Sequence, residues 1–225
     1  MMFALLRPAP RAPAVVTARL MTRLTAVLMA VPMLVLMVAL VAACGSAAPP
    51  RFHTLMPAAP ATRSPAAAAL PAWQLLPISI PAQVDQPQFV LRRADDTLAV
   101  LEQERWIAPL QDEIRAALTE HLGARLGAPG ATPAEGRKDW RIGVDVQRFD
   151  STPGRSTLIT QWSLLGGAGT PPLRCRSAFE QPVGTGVAAL AGGHRQALER
   201  LAGEIAPVLA ALDAGQAAAC SSPPK

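Results

Sequence analysis

The alternation of apolar and polar residues first predicts strands, starting soon after residue 73. Residues 75–80 alternate between apolar and polar side chains and predict a strand. Residues 88–92 and 97–101 are rich in β-forming side chains, and the polar residues 94–96 between them predict a turn. We therefore expect one strand followed by two short strands that flank a turn.

An amphipathic helix is predicted in the middle of the chain. Pro109 stands at its start, and Gly123 and Gly127 stand near its end. Apolar side chains recur at helical spacing, which predicts one buried stripe. The stripe contains Leu110, Ile114, Ala117, Leu118, His121 and Leu122, whereas Gln111, Asp112, Glu113, Arg115 and Glu120 are predicted to face away. His121 lies on the apolar stripe, so we expect a packed or bridging histidine rather than a metal ligand.

Strands return after this helix and are followed by a second helix. Residues 140–149 and 156–165 predict a hairpin around a turn at 150–154, and residues 173–181 predict a third strand. Apolar spacing over residues 187–212 predicts the second helix. Two helices packed on one mixed, largely antiparallel sheet give a single α/β domain.

The second predicted helix contains two features that disfavour a regular helix. Gly192 and Gly193 weaken it, because glycine gains more freedom than other residues when a helix unfolds. Pro207 lacks the backbone N–H that a helix interior uses. We expect the helix to be kinked or to end near Pro207.

A leader precedes the domain. Residues 1–43 contain four arginines and no acidic residue, and an apolar stretch near their end has the length of a signal-peptide core. Val41-Ala42-Ala43-Cys44 resembles the bacterial lipobox, in which the cysteine thiol is acylated and the leader is cleaved before it. The alternative is a transmembrane helix that ends in cysteine. Because Gly45 follows instead of an aspartate, we expect the outer membrane, with the protein facing the periplasm.

Removal of the leader changes the charge of the chain. The four arginines of the leader account for most of the excess, so the formal net charge falls from +5 to +1. A nearly neutral product does not favour binding to a polyanion, and we expect no nucleic-acid partner.

The chain divides into four segments. Residues 1–43 are the predicted signal peptide, and residues 44–72 are an Ala- and Pro-rich linker that carries the lipid. Within the linker, residues 51–55 are rich in β-forming side chains and predict an edge strand. Residues 73–214 form the predicted domain, and residues 215–225 form a C-terminal tail.

Two cysteines lie outside the lipobox. Cys175 and Cys220 would close a loop of about 46 residues in an oxidising periplasm, which is worth about 4 kcal/mol in the chain-entropy model. The alternative is a pair of free thiols. We expect no metal site, because the histidines His53, His121 and His194 are far apart in sequence and no CxxC spacing occurs.

Two motifs could carry chemistry, and neither has the required context. Residues 184–189 match GxGxxA, but no further strand follows, so the glycines are expected to form the turn into the second helix. Asp145 and Asp150 could form a carboxylate pair, but alternation places them on opposite faces of a strand, or Asp150 in the turn. We expect no enzyme and no cofactor apart from the covalent lipid on Cys44.

Three segments together resemble a known family. Val84–Val90 (VDQPQFV), Glu104–Leu110 (ERWIAPL) and Val144–Asp150 (VDVQRFD) look like the PqiC-type auxiliary lipoproteins of ABC-type transport systems. The chain departs from the family at residues 51–55, where an aromatic pair is usual, and in the glycines of the last helix.

The resemblance implies a three-layer α/β domain and a role without chemistry. It implies a lipoprotein that docks a periplasm-spanning MCE-type protein at the outer membrane, works with inner-membrane components in lipid transport, and supports membrane integrity. A homo-oligomer is compatible with this family. Within it, Asp85, Pro87, Arg105 and Trp106 are candidates for partner contact, with core or turn roles as the alternative. A stand-alone lipid-binding lipoprotein is the alternative function.

Overall fold

The computed structural model describes residues 48–59, 71–130, 138–167 and 170–220. The predicted signal peptide, Cys44 and much of the predicted linker lie outside the described residues. Within the described ranges, no helix combines the length and the apolar character needed to cross a membrane.

The described residues form seven strands, two long helices and one short 3-10 helix, which confirms the predicted α/β class with two main helices. The strands divide into two mixed sheets, where one mixed sheet was predicted. In chain order the elements are β1 (Arg51–His53), β2 (Ala72–Leu75), the 3-10 helix (Ala82–Val84), β3 (Gln88–Arg92), β4 (Leu98–Trp106), α1 (Leu110–Leu126), β5 (Asp139–Thr152), β6 (Arg155–Leu165), β7 (Leu173–Pro182) and α2 (Val187–Asp213).

The smaller sheet has the strand order β1-β4-β3. β1 runs parallel to β4, and β3 runs antiparallel to it. β1 lies inside the segment predicted as linker, at the place where residues 51–55 predict an edge strand. Leu55, just after β1, is fully buried. The described fold therefore includes residues N-terminal to position 73.

The central strand of the smaller sheet is longer than its sequence pattern predicts. Phe89 pairs with Leu101, whereas the preceding residue Gln88 pairs with Arg105. The extra residues on β4 form a bulge, which breaks the regular alternation of side chains. This bulge explains why the pattern predicted a strand that ended at Leu101 although β4 continues to Trp106.

The larger sheet has the strand order β2-β5-β6-β7. β2 runs parallel to β5, and the remaining pairs are antiparallel. The hairpin between β5 and β6 is tighter than predicted, because the strands extend to Thr152 and Arg155 and leave only Pro153-Gly154 as the turn. The predicted strand at 75–80 is also shifted, since β2 ends at Leu75 and Ser79 forms only an isolated bridge to Asp145.

A bulge in β5 overturns the predicted placement of the two aspartates. The pairing with β6 shifts between Val146 and Arg148, so Gln147 is the extra residue. Asp145 and Asp150 consequently pair with Gln161 and Thr157, which share one face of β6. The prediction of opposite faces was wrong because simple alternation does not include the bulge.

The two aspartates nevertheless have separate partners. The Ser79 hydroxyl donates a hydrogen bond to the Asp145 carboxylate. Asp150 accepts hydrogen bonds from Arg92, with Nη2–Oδ1 and Nε–Oδ2 distances of 3.2 Å, and lies 3.4 Å from Arg148 Nε. The hydrogen bond with Asp150 raises the pKa of Arg92. Asp150 therefore belongs to an ion-pair cluster with two arginines, whereas Asp145 is paired with a hydroxyl group.

Helix α2 packs on β5, β6 and β7 of the larger sheet and also packs against α1. It continues through Pro207 to Asp213, so of the two predicted alternatives, a kink or an end near Pro207, the end was wrong. Pro207 is exposed, whereas Ala206 and Val208 on either side of it are buried. Burial of the apolar face therefore outweighs the one hydrogen bond that proline removes.

Helix α1 contains a buried carboxylate where the sequence predicted an exposed one. The Glu113 side chain accepts hydrogen bonds from the Leu55 backbone N–H and the Thr54 hydroxyl, each at 2.7 Å. These bonds hold the chain after β1 on the first turns of α1. Glu113 was predicted to face away because helical periodicity does not show that another segment covers the polar side.

We predict that Glu113→Ala lowers the free energy of unfolding by about 2–3 kcal/mol, because it leaves the buried Leu55 N–H without its partner. Urea denaturation measures this loss. The matched control Asp112→Ala removes an exposed carboxylate from the preceding residue and should change stability by less than about 0.5 kcal/mol. Equal losses for the two variants would contradict the anchoring role of Glu113.

Gly193 allows α2 to approach the larger sheet closely. A Cβ at this position would lie 2.6 Å from Val183 Cγ1 and 2.7 Å from Ser156 Oγ. The Ser156 hydroxyl also donates a 2.8 Å hydrogen bond to the Leu190 carbonyl at this contact. Gly192, by contrast, has open space where its Cβ would be.

We predict opposite effects for alanine at these two neighbouring glycines. Gly193→Ala should destabilise the protein by about 1–3 kcal/mol through overpacking. Gly192→Ala should be neutral or should stabilise it by up to about 1 kcal/mol, because alanine favours the helix. Thermal unfolding of the two variants provides the comparison, and a stable Gly193→Ala protein would refute the close approach.

Candidate functional site

Two segments that are distant in sequence form one groove of about 330 Å³. Its lining consists of Asp85, Gln86, Pro87, Trp106, Ile107, Ala108, Pro109 and Leu110. These residues come from the loop after the 3-10 helix and from the connection between β4 and α1. Asp85, Pro87 and Trp106 are among the candidates for partner contact, and for this reason we call the feature the docking groove. It contains residues from two of the three segments that carry the family resemblance.

Backbone hydrogen bonds fix the two sides of the docking groove. The Trp106 N–H donates to the Pro87 carbonyl at 2.9 Å. The Ile107 N–H donates to the His53 carbonyl of β1 at 2.9 Å. The groove is therefore tied to the sheet through both of its walls, and β1 supports one of them.

Trp106 forms the inner wall of the groove and belongs to the core. Its side chain is only 5% exposed. Its ring lies 4.9 Å from the Phe89 ring and 6.0 Å from the Phe149 ring, measured between centroids. Of the two roles considered for Trp106, its burial favours the core role over direct partner contact.

Asp85 and Pro87 are exposed on the opposite wall. The 3-10 helix positions them, because its residue Val84 is buried in the core. The Asp85 N–H closes the 3-10 helix by donating to the Ala82 carbonyl at 3.3 Å. Among the described residues that line the groove, Asp85 is the only one with a titratable side chain. The groove thus combines apolar walls with one carboxylate.

Arg105 does not line the groove. In the register of the smaller sheet it stands opposite Phe52 of β1 and Gln88 of β3. Its Nε donates to the Glu102 carbonyl at 3.3 Å. The structure therefore brings three of the four contact candidates into the groove and leaves Arg105 beside Phe52, which is 56% exposed.

One large, exposed apolar side chain of the groove, that of Ile107, was not among the sequence candidates. Ile107 is 59% exposed. It directly follows the buried Trp106 at the end of β4, so its side chain points outward when that of Trp106 points inward. The inward orientation of Trp106 would have been the signal, but the sequence alone does not show which face of β4 is buried.

A buried ion-pair cluster supports β1 next to the groove. The Glu104 carboxylate forms an ion pair with Arg51 and contacts His53 Nε2 at 2.6 Å. Glu104 itself is buried, whereas the Arg51 side chain is largely exposed. This cluster holds the edge strand on β4, and β1 in turn holds Ile107.

The histidines and acids do not assemble a metal centre in the described part of the chain. There, no group of three histidine, cysteine or acidic residues could hold a metal ion. His121 is buried on the apolar stripe of α1, its ring nitrogens have no hydrogen-bond partner, and burial lowers its pKa. The position of His121 agrees with a packed histidine.

His194 is buried more completely. Its ring stacks on that of Phe149 at a centroid distance of 3.7 Å, and its Nε2 lies 2.9 Å from the Ser151 hydroxyl oxygen. Burial lowers its pKa to about 3. The imidazole is therefore neutral at physiological pH and acts as a packing residue.

The structure also shows the outcome for the two cysteines outside the lipobox and for the GxGxxA motif. The structure joins Cys175 and Cys220 in a disulfide, with the sulfur atoms 1.99 Å apart. Gly186 precedes α2 with a φ of 92°, a conformation that favours glycine, so the glycines of residues 184–189 form the predicted turn. Cys44, the predicted lipid site, lies outside the described residues.

Comparison with known proteins gives a family and a fold. The family model for the ABC-type transport auxiliary lipoprotein component matches residues 53–206. A crystal structure of an uncharacterized protein is 15% identical, has a TM-score of 0.59, and covers 72% of this chain and 99% of its own. A crystal structure of a Xanthomonas campestris protein from the DUF330 family is 23% identical, has a TM-score of 0.54, and covers 69% of this chain and 92% of its own. No curated protein sequence matches the chain significantly.

Proposed function

The chain belongs to the family of ABC-type transport auxiliary lipoproteins, and from this premise we propose that it is a non-enzymatic subunit of a lipid-transport system in the cell envelope. In this role it docks a periplasm-spanning MCE-type protein, is anchored to the outer membrane through lipid on Cys44, and supports membrane integrity. The family assignment supports a transport-associated lipoprotein of the envelope. We propose the MCE-type partner, the outer membrane and the lipid cargo in addition to what the family assignment supports.

The docking groove is the observation that carries this proposal. It is open, it has apolar walls, and it presents Ile107 at the surface with 59% exposure. Exposed apolar side chains set in a groove are typical of protein-binding sites, where a few central residues supply most of the binding energy. The groove is built on backbone hydrogen bonds to two strands, so a partner meets a preformed surface.

The size and chemistry of the groove suit one or two partner side chains. Its volume of about 330 Å³ is at the lower end of the range for ligand pockets. Pro87 and Pro109 form stiff, apolar parts of the lining, and Asp85 supplies one negative charge. We therefore expect an apolar partner side chain against Ile107, with a basic or hydrogen-bond-donating group near Asp85.

Copurification from envelope membranes tests this function. We predict that the full chain, purified in mild detergent, recovers an MCE-domain protein, and that Ile107→Glu lowers this recovery about tenfold or more because it places a charge in the apolar contact. Quantitative mass spectrometry of the purified material measures the recovery.

Val100→Glu is the matched control. Val100 is also apolar and exposed, at 43%, but it lies on β4 outside the groove, so its substitution should leave recovery unchanged. If Ile107→Glu recovered as much MCE-domain protein as the native chain, docking at this groove would be contradicted. Recovery of phospholipid without any protein partner would favour the stand-alone lipid-binding function instead. Cys44→Ser should separate the protein from its membrane partners by removing the anchor.

A further inference from the structure

A second groove lies on the face of the larger sheet that is opposite α2. It has a volume of about 630 Å³ and opens to solvent. Its lining consists of Leu76, Pro77, Gly143, Val144, Asp145, Gln161, Trp162, Ser163, Arg174, Cys175 and Arg176. We call it the arginine groove. It shares no residue with the docking groove.

Two arginines stand next to each other on one side of the arginine groove. Arg174 and Arg176 are two residues apart on β7, so they project from the same face of the strand. Both are exposed, and neither has a carboxylate within ion-pair distance among the described residues. By contrast, Arg155 on the same face is paired with Glu180 at 3.1 Å. The groove therefore holds two guanidinium groups that form no ion pair with any described carboxylate.

Two hydrogen-bonding side chains on the neighbouring strand lie beside the two arginines. Ser163 of β6 is the pairing partner of Arg174, and Gln161 is the pairing partner of Arg176. Each side chain therefore lies beside one arginine on the same face. Together they place a hydroxyl and an amide next to two guanidinium groups. Such a set of donors suits the oxygens of a phosphate group.

Gly143 keeps the middle of the arginine groove open. It lies inside β5, where glycine is unfavourable and often marks the close approach of another group. A Cβ at this position would lie 2.8 Å from the Ser163 hydroxyl oxygen. The absence of a side chain at Gly143 therefore leaves the Ser163 hydroxyl accessible from the groove.

Asp145 places a negative charge at the end of the arginine groove that is opposite the arginines. It pairs with Gln161, which pairs with Arg176, so the carboxylate and the guanidinium lie at opposite ends of one row across the sheet. Asp145 is held by the hydroxyl of Ser79. An anionic group is favoured at the arginine end, and a hydrogen-bond donor is favoured at the Asp145 end.

We infer that the arginine groove binds a phosphate ester, with its phosphate on Arg174 and Arg176 and a hydroxyl or amino substituent toward Asp145. The ester has two sources, a free phosphorylated compound or the headgroup of a phospholipid. The chemistry that the groove recognises is the same in both cases. This site is independent of the docking groove and does not depend on the proposed partner.

Isothermal titration calorimetry with glycerol phosphate tests whether the arginine groove binds a free phosphate ester. The probe is titrated into the full chain in a phosphate-free detergent. We expect binding that weakens at least about tenfold in the double variant Arg174→Gln/Arg176→Gln, because both charge-assisted contacts are lost. Arg155→Gln, on the same face but outside the groove, should bind as tightly as the native chain.

Residue-resolved labelling distinguishes the two sources. Arginines are modified with phenylglyoxal in detergent alone, in detergent with glycerol phosphate, and after reconstitution into phosphatidylglycerol vesicles, and the sites are identified by mass spectrometry. Protection of Arg174 and Arg176, but not of Arg155, by glycerol phosphate supports a free ester. The same protection in vesicles alone supports a headgroup. Equal modification in all three conditions, together with equal glycerol phosphate affinity of the double variant and the native chain, would overturn the inference.

Discussion

Acidification from pH 7 to pH 5 should lower the free energy of unfolding by about 2 kcal/mol through His194 alone. The folded protein holds the pKa of this histidine at about 3, whereas its ordinary value is 6.5. Between these values the unfolded chain binds a proton that the folded chain does not bind. Stability from this residue is therefore complete above pH 6.5 and is lost as the pH falls toward 3, with a slope of about 1.4 kcal/mol per pH unit.

The geometry explains why the proton is excluded. His194 has no exposed surface, its ring is stacked on Phe149, and no carboxylate among the described residues compensates a charge at this position. Its Nε2 and the Ser151 hydroxyl share one hydrogen bond that a neutral imidazole can make. A charged imidazole would have to be buried without an ion-pair partner, which costs several kcal/mol.

Urea denaturation at pH 7.5, 6.0 and 5.0 measures the pH dependence. His194→Gln keeps a hydrogen-bonding group near Ser151 but cannot titrate, so it should be less stable at pH 7.5 and should lose stability more slowly on acidification. Measurements on the native chain alone already show whether acidification lowers or raises its free energy of unfolding. An unchanged stability of the native chain between pH 7.5 and pH 5.0, or the same slope in the variant, would contradict the account.

Reduction of the bond between Cys175 and Cys220 should lower the free energy of unfolding by about 4 kcal/mol. The bond closes a loop that contains most of β7, the whole of α2 and the tail residues up to Cys220. In the unfolded chain it removes the many conformations in which β7 and the tail are far apart. Its loss should also release the tail, because Ala218 and Cys220 pack only at the edge of the core.

The comparison of oxidised and reduced protein measures this effect without a change of sequence. The variant Cys175→Ala/Cys220→Ala is the control, because its unfolding should not respond to the reductant. Hydrogen exchange should show faster exchange in residues 214–220, while the buried face of α2 remains protected. Identical urea midpoints of the native chain with and without reductant would contradict the prediction.

The sequence predicts those elements whose side chains follow a simple period. The apolar stripe of α1 is buried as predicted, from Leu110 to Leu122, because a helix on a core repeats its buried face regularly. The strand predicted at residues 88–92 coincides with β3. Strand β6 follows the alternation of its side chains throughout, and β5 follows it as far as Val146.

The errors occur where a contact from elsewhere in the chain determines the outcome. Simple alternation fails at the bulge after Val146, which moves Asp150 to the face of Asp145. Glu113 is buried because residues after β1 cover it, and α2 passes Pro207 because the residues around the proline are buried. None of these contacts is encoded in the local period of the sequence.

The candidate site shows the same division. The sequence selects the two segments around Asp85 and Trp106, and the structure brings both into one groove. It does not reveal that Trp106 faces inward and Ile107 outward, because that depends on which side of β4 the aromatic core occupies. The arginine groove was not expected either, since Arg174 and Arg176 meet Gln161 and Ser163 only through strand pairing.

The two grooves lie in separate regions of the described surface. The docking groove has mainly apolar walls and lies between the loop after the 3-10 helix and the start of α1. The arginine groove carries two arginines and lies on the exposed face of the larger sheet. A variant of one groove should therefore leave binding at the other unchanged, which allows the proposed partner and the proposed ligand to be tested independently.

Site-specific photocrosslinking from position 107 shows whether the docking groove contacts an MCE-domain protein. A photoreactive phenylalanine derivative is incorporated at position 107 of the full chain in cells, and in a parallel strain at position 100, which is exposed outside the groove. We predict that the group at position 107 captures an MCE-domain protein and that the group at position 100 does not. Capture of lipid alone from position 107, or equal protein capture from both positions, would contradict docking at this groove.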